Sequence, residues 1–94
     1  MTLEAGTRLR LARKARLRWD ARNEKMMLLY PERGLLLNAV GARIVELCDG
    51  TRTWDEVVGA LSSAFPDVDP SALRRDAIAF VEKLAARGLW EKVA

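Results

Sequence analysis

Tyr30-Pro31-Glu32-Arg33-Gly34-Leu35-Leu36-Leu37-Asn38 is the stretch in which the chain changes its hydrophobic period. Pro31 presets the first position of a turn and Gly34 supplies a positive φ at its exit, so Leu35-Leu36-Leu37 begins afresh as a strand. Asn38 then suits a helix N-cap, and Val40, Ile44, Val45, Leu47 and Cys48 follow at helical spacing. Period two rules before this stretch and period 3.6 after it.

Upstream, Arg8-Leu9-Arg10-Leu11 and Arg16-Leu17-Arg18-Trp19-Asp20 alternate charged and apolar residues, as a strand with one wet and one buried face does. Ala21-Arg22-Asn23-Glu24 reads as a turn and Lys25-Met26-Met27-Leu28-Leu29-Tyr30 as a second strand. Leu35–Leu37 is then the third strand of an antiparallel meander, which needs helices against it to be stable. Residues 1–7 follow neither period and are expected to be a disordered lead-in to one domain, residues 8–94.

Downstream, Asp49-Gly50 stops the first helix. Thr53 and Glu56 make a capping box for the second, which carries Val57, Val58, Leu61 and Phe65 and ends before Pro66. Asp69-Pro70 starts the third as cap and first helical residue, with Val68 and Leu73 at the staple positions. Leu73, Ala77, Phe80, Val81 and Leu84 form its core stripe, and Gly88 closes it as Leu89 folds back on Leu84. The predicted fold is α+β: a three-stranded antiparallel meander followed by three helices. Trp19, Ile44, Leu47, Leu61, Phe65, Phe80 and Leu84 are expected in one core.

Composition narrows the chemistry. The chain has no histidine, which removes the Ser-His-Asp triad, His acid–base catalysis and every His-containing metal site. Cys48 is the only cysteine, so no internal disulfide forms. Carboxylates, lysines, Tyr30 and Cys48 remain, and no spacing groups them, so a binding module is expected rather than an enzyme. No run approaches the ~18 apolar residues of a membrane span, and Arg8, Arg10, Arg13 and Lys14 interrupt any signal-like stretch. Cytoplasm is the expected compartment. Eight Lys/Arg stand against three Asp/Glu in residues 1–25, so the net charge of +3 is an N-terminal property, suited to an acidic partner or to an edge strand guarded by arginine.

Tyr30-Pro31-Glu32, Leu37-Asn38, Leu47-Cys48-Asp49-Gly50, Thr53 and a helix ending Ala64-Phe65 follow one another as they do in PqqD, the pyrroloquinoline quinone biosynthesis protein D family. Arg16 to Asp20 upstream and Asp76, Phe80, Leu84 and Gly88 downstream extend the resemblance over nearly the whole chain. Trp54, where a smaller aliphatic residue is usual, and Ala77, where Val is, depart from the pattern. The resemblance implies a winged-helix-like fold with its strands first, the fold of RiPP recognition elements. It implies a chaperone that binds the precursor peptide PqqA and presents it to the radical S-adenosylmethionine enzyme PqqE, which cross-links Glu and Tyr side chains of the peptide. It implies no cofactor in the chaperone, and a docking edge on the third strand.

The residues point the same way. A meander leaves an edge of unpaired N–H and C=O groups, and an extended peptide adds to such an edge as a further strand. The expected site is Leu35, Leu36 and Leu37, with peptide side chains against the third helix near Arg74, Arg75, Ile78 and Glu82. Ile78 is apolar yet off the core stripe, while the arginines suit a peptide carboxylate and Glu82 a peptide cation. Cys48, on the apolar stripe of the first helix, reads as a buried structural thiol. The same open edge suits a homodimer made by exchanging N-terminal strands about Pro31–Gly34. The alternative reading is helix-turn-helix DNA binding by the second and third helices; Asp55, Glu56, Asp76 and Glu82 on those helices repel phosphate and argue against it.

Overall fold

The structure, a computed structural model, describes residues 3–31 and 33–93; Glu32 of the predicted turn lies outside the described residues. In chain order come β1 (Arg8–Leu11), β2 (Arg16–Asp20), β3 (Lys25–Tyr30), β4 (Arg33–Leu36) and α1 (Ala39–Leu47). Then follow β5 (Asp49–Thr53), α2 (Trp54–Ala64), α3 (Pro70–Ala85) and β6 (Trp90–Val93). The α+β class and the meander, β2-β3-β4, stand as read from the sequence.

The second sheet is the addition. Arg8–Leu11 is not the start of the meander but the centre of an antiparallel sheet ordered β5-β1-β6. Arg8 pairs with both Thr53 and Val93, so residues from both ends of the chain meet on this strand. The Asp49-Gly50 stop belongs to β5, with a register irregularity opposite Arg8–Arg10. Before β1, the carbonyls of Ala5 and Thr7 accept from the N–H groups of Asp55 and Trp54 at 3.0 and 2.6 Å.

The helix ends are as their residues dictate. Asn38 accepts from the Gly41 N–H at 2.7 Å, Thr53 and Glu56 complete the reciprocal box, and Asp69 caps α3 ahead of Pro70. At the exit of α3, Leu89 N–H reaches the Leu84 carbonyl and Gly88 N–H that of Ala85, a Schellman closure with Gly88 at φ +67°. Gly34 does not take the positive φ expected of it; it is an ordinary strand residue, and a Cβ there would lie 2.9 Å from the sulfur of Met27.

Leu28, Ile44, Leu61, Leu73, Val81, Leu84 and Leu89 are fully enclosed between the helices and the two sheets. Trp54, the departure from the family pattern, is buried in this core, and Trp90, also buried, donates its indole N–H to the Val81 carbonyl at 3.1 Å. The expected core needs one correction: Trp19 is 56% exposed, and Phe65 and Phe80 are only half-buried. Alternation puts Trp19 on the same face as Leu17, but it sits one residue from the Ala21–Glu24 turn, where the hairpin runs past its helical cover.

Candidate functional site: the open edge of β4

β4 pairs with β3 alone, so its other side is an edge. The Leu37 N–H donates to the Met26 carbonyl at 2.9 Å, which sets the polarity of the whole strand. Along an antiparallel strand, alternate residues direct both main-chain groups to the same neighbour. Leu37, Leu35 and Arg33 therefore bond toward β3, and the N–H and C=O of Leu36 and Gly34 face outward. Side chains alternate at right angles to this: Leu35 is half-buried and Leu37 buried on the core side, while Leu36 is 42% exposed.

One depression lies beside this edge, and a second opens between α1 and α3. One, of about 580 Å³, lies between Tyr30, Arg33, Gly34 and Leu35 and the side chain of Arg87 just past α3. The other, of about 280 Å³, opens where Asn38, Val40, Gly41 and Ile44 meet Val68, Leu73, Asp76 and Phe80. A Cβ on Gly41 would lie 2.9 Å from the Phe80 ring, so glycine is what lets the start of α1 approach α3 this closely. Phe80 therefore packs against α1, while Arg87, just past α3, stands beside Arg33–Leu35 of β4. Asp76 and Phe80, four residues apart, share one stripe of α3.

Arg74, Arg75, Ile78 and Glu82 do come together, with Ser71 and Ala79, around a separate open depression. They lie roughly 150° round the helix from the Asp76–Phe80 stripe at 3.6 residues per turn. The structure does not bring them into one pocket with Leu35, Leu36 or Leu37. Phe80, assigned to the core by its spacing, is half-buried: it packs against the core and also lines the depression between α1 and α3.

Cys48 is buried, and loss of solvation pushes its thiol up to about 12. Among the described residues no three of His, Cys, Asp and Glu stand where they could hold a metal ion. No helix among them is long and apolar enough to cross a membrane.

This two-layered arrangement is the fold of a RiPP recognition element. The solution structure of the PqqD truncation of Methylobacterium extorquens PqqCD, described as such an element, matches 96% of this chain and 95% of its own at a TM-score of 0.78 and 29% identity. TbiB1, solved in complex with the TbiA(beta) leader peptide, matches 87% of this chain and 94% of its own at 0.71 and 25% identity. The family model for coenzyme PQQ synthesis protein D (PqqD) matches residues 25–89, and the chain belongs to this family. Relatives named PqqA binding protein include one from Rhodopseudomonas palustris (strain BisB5), 30% identical over 94% of this chain and 85% of that protein. One from Klebsiella pneumoniae is 35% identical over 80% and 78%.

Proposed function

We propose that this protein is the non-catalytic carrier of pyrroloquinoline quinone biosynthesis, binding the PqqA precursor peptide and presenting it to the radical S-adenosylmethionine enzyme PqqE. The observation that carries the reading is the outward N–H and C=O of Gly34 and Leu36, an unpaired strand edge with Arg87 beside it. An extended peptide laid on β4 completes that ladder, and its alternate side chains fall toward Leu35, Phe80 and Arg87 or onto Leu36. Main-chain bonds supply affinity, and the depression beside Phe80, with Asp76 at its rim, selects an apolar side chain. Arg87 and Arg33 at the other end suit a peptide carboxylate. Arg74, Arg75, Ile78 and Glu82 form a second flank that a peptide meets only after passing round α3.

The test is reconstitution. The peptide and the enzyme of the same organism are mixed with this protein, and complex formation and peptide cross-linking are followed together. The reading requires a complex of all three and cross-linking that depends on this protein. Cross-linking at full rate without it, or peptide modification by this protein alone, contradicts the reading.

A further inference from the structure

The end of the meander where β4 begins gathers cations from separate parts of the chain. Arg13 and Lys14 come from the β1–β2 connection, Arg16 and Arg33 from the starts of β2 and β4, and Arg87 from just past α3. Arg13, Lys14, Arg16 and Arg33 line a depression of about 500 Å³ with Tyr30. Tyr30, Arg33 and Arg87 line the depression beside the β4 edge. Tyr30 and Arg33 belong to both, so the two join into one basin.

The strand register fixes how the basin lies. Tyr30 pairs with Arg33 on the face that also carries Leu28 and Leu35, whereas Arg16, opposite Leu29, is on the other face. The basin therefore wraps the end of the sheet and is not confined to either face. The Lys14 Nζ lies 3.4 Å from where a Cβ on Gly88 would stand, which brings the β1–β2 connection against the neighbour of Arg87.

Each cation has an ordinary use, but their convergence does not follow from those uses. The carbonyl end of α3 favours Lys14 and Arg87, and charged residues guard the open edges of β2 and β4. Yet all five are exposed, and none makes an ion pair among the described residues, where the pairs are Arg10–Glu91, Arg43–Glu46 and Arg52–Asp49. No carboxylate among those residues lines either depression. Counting Glu32 of the connecting turn, the sequence still leaves four net positive charges here, and like charges so gathered repel one another. Residues 34–42, the rest of β4 and the chain beyond it, hold no charge at all. The β4 edge is thus strongly cationic at its start alone.

We propose that this basin binds an acidic stretch of the precursor peptide where it runs off the β4 edge, and so selects the peptides this carrier accepts. The inference rests on the carrier reading and adds specificity to it. Main-chain bonding to Gly34 and Leu36 takes any extended peptide, so selection needs side chains. A strand advances about 3.3 Å per residue, so a peptide that passes Arg33 enters the basin within one or two residues. There neighbouring carboxylates meet separate arginines.

Wild type and Arg13→Gln/Arg16→Gln, which leaves β4 untouched, are titrated with the precursor peptide of the same organism. Each is also titrated with a copy of that peptide in which Asp and Glu are replaced by Asn and Gln. Melting temperatures are checked first; should the variant not fold, the two peptides still probe the basin in wild type. The native peptide should bind wild type about fivefold or more tighter than the neutral copy, and the variant should lose most of that difference. Added salt should weaken the native peptide and leave the neutral copy nearly unchanged. Equal affinity of the two peptides for wild type overturns the proposal and leaves the carrier reading intact. So does an equal loss for both peptides in the variant. Failure of wild type to bind either peptide fells both readings. A duplex oligonucleotide that loses affinity in the variant, yet binds wild type without displacing the native peptide, shows a nucleic-acid site and overturns the proposal.

Discussion

Leu37 donates its N–H to the carbonyl of Met26 at 2.9 Å, and this bond decides which main-chain groups of β4 remain for a partner. Leu36, one residue earlier, must point its N–H the other way. Proline at 36 therefore removes no bond to β3, and it fits the extended backbone of an edge. Leu36→Pro should keep the fold and lower precursor-peptide affinity by about tenfold or more, roughly 1.4 kcal/mol, in calorimetric titration. Leu37→Pro should instead break the sheet bond and lower the melting temperature.

Gly41 and Phe80 hold α1 against α3. A β-branched side chain at 41 meets the ring at 2.9 Å and the capping oxygen of Asn38 at 3.2 Å, in a buried position. Gly41→Val should destabilise by about 1–3 kcal/mol, the usual cost of overpacking, read from the denaturation midpoint. Phe80→Ala should cost less than the ~3–5 kcal/mol of a fully buried ring, because the ring is half-buried, and should also weaken peptide binding.

Glu56 provides a pH signature. The Thr53 main-chain N–H bonded to its carboxylate, helped by the Thr53 hydroxyl, holds its pKa below the ordinary 4.5. A depressed folded pKa contributes stability above the unfolded value and loses it as pH falls through the folded one. Wild type should therefore melt higher than Glu56→Gln at neutral pH. The gap should close below about pH 4.5, and a gap independent of pH would contradict the box.

Cys48 should be inert while the chain is folded. With its thiol near 12 and its sulfur buried, thiolate is scarce at pH 8. Maleimide labelling should be slow in buffer and fast in denaturant, and equal rates would mean an exposed thiol.

The helices were legible because their signals are local: Asn38, Thr53 with Glu56, Asp69-Pro70 and Gly88 act within a turn of where they stand. The second sheet was not, because Asp49–Thr53 and Trp90–Val93 become strands only through pairing with Arg8–Leu11, across most of the chain length. Trp19 misled because alternation reports a face, not whether anything covers it. At the site, the β4 edge could be read from three leucines in a row. Which apolar residue of α3 packs on α1 could not, since Ile78 and Phe80 both sit off its core stripe or at its margin and only the approach of Gly41 to the ring picks out Phe80.

The central claim is that the peptide adds to the β4 edge. Amide shift mapping during titration with the precursor peptide tests it residue by residue. The account predicts the largest changes at Gly34 and Leu36, whose N–H groups gain partners, with further changes at Phe80 and Arg87. Changes concentrated on Arg16–Asp20 or on Arg74–Glu82, with Gly34 and Leu36 silent, would contradict it.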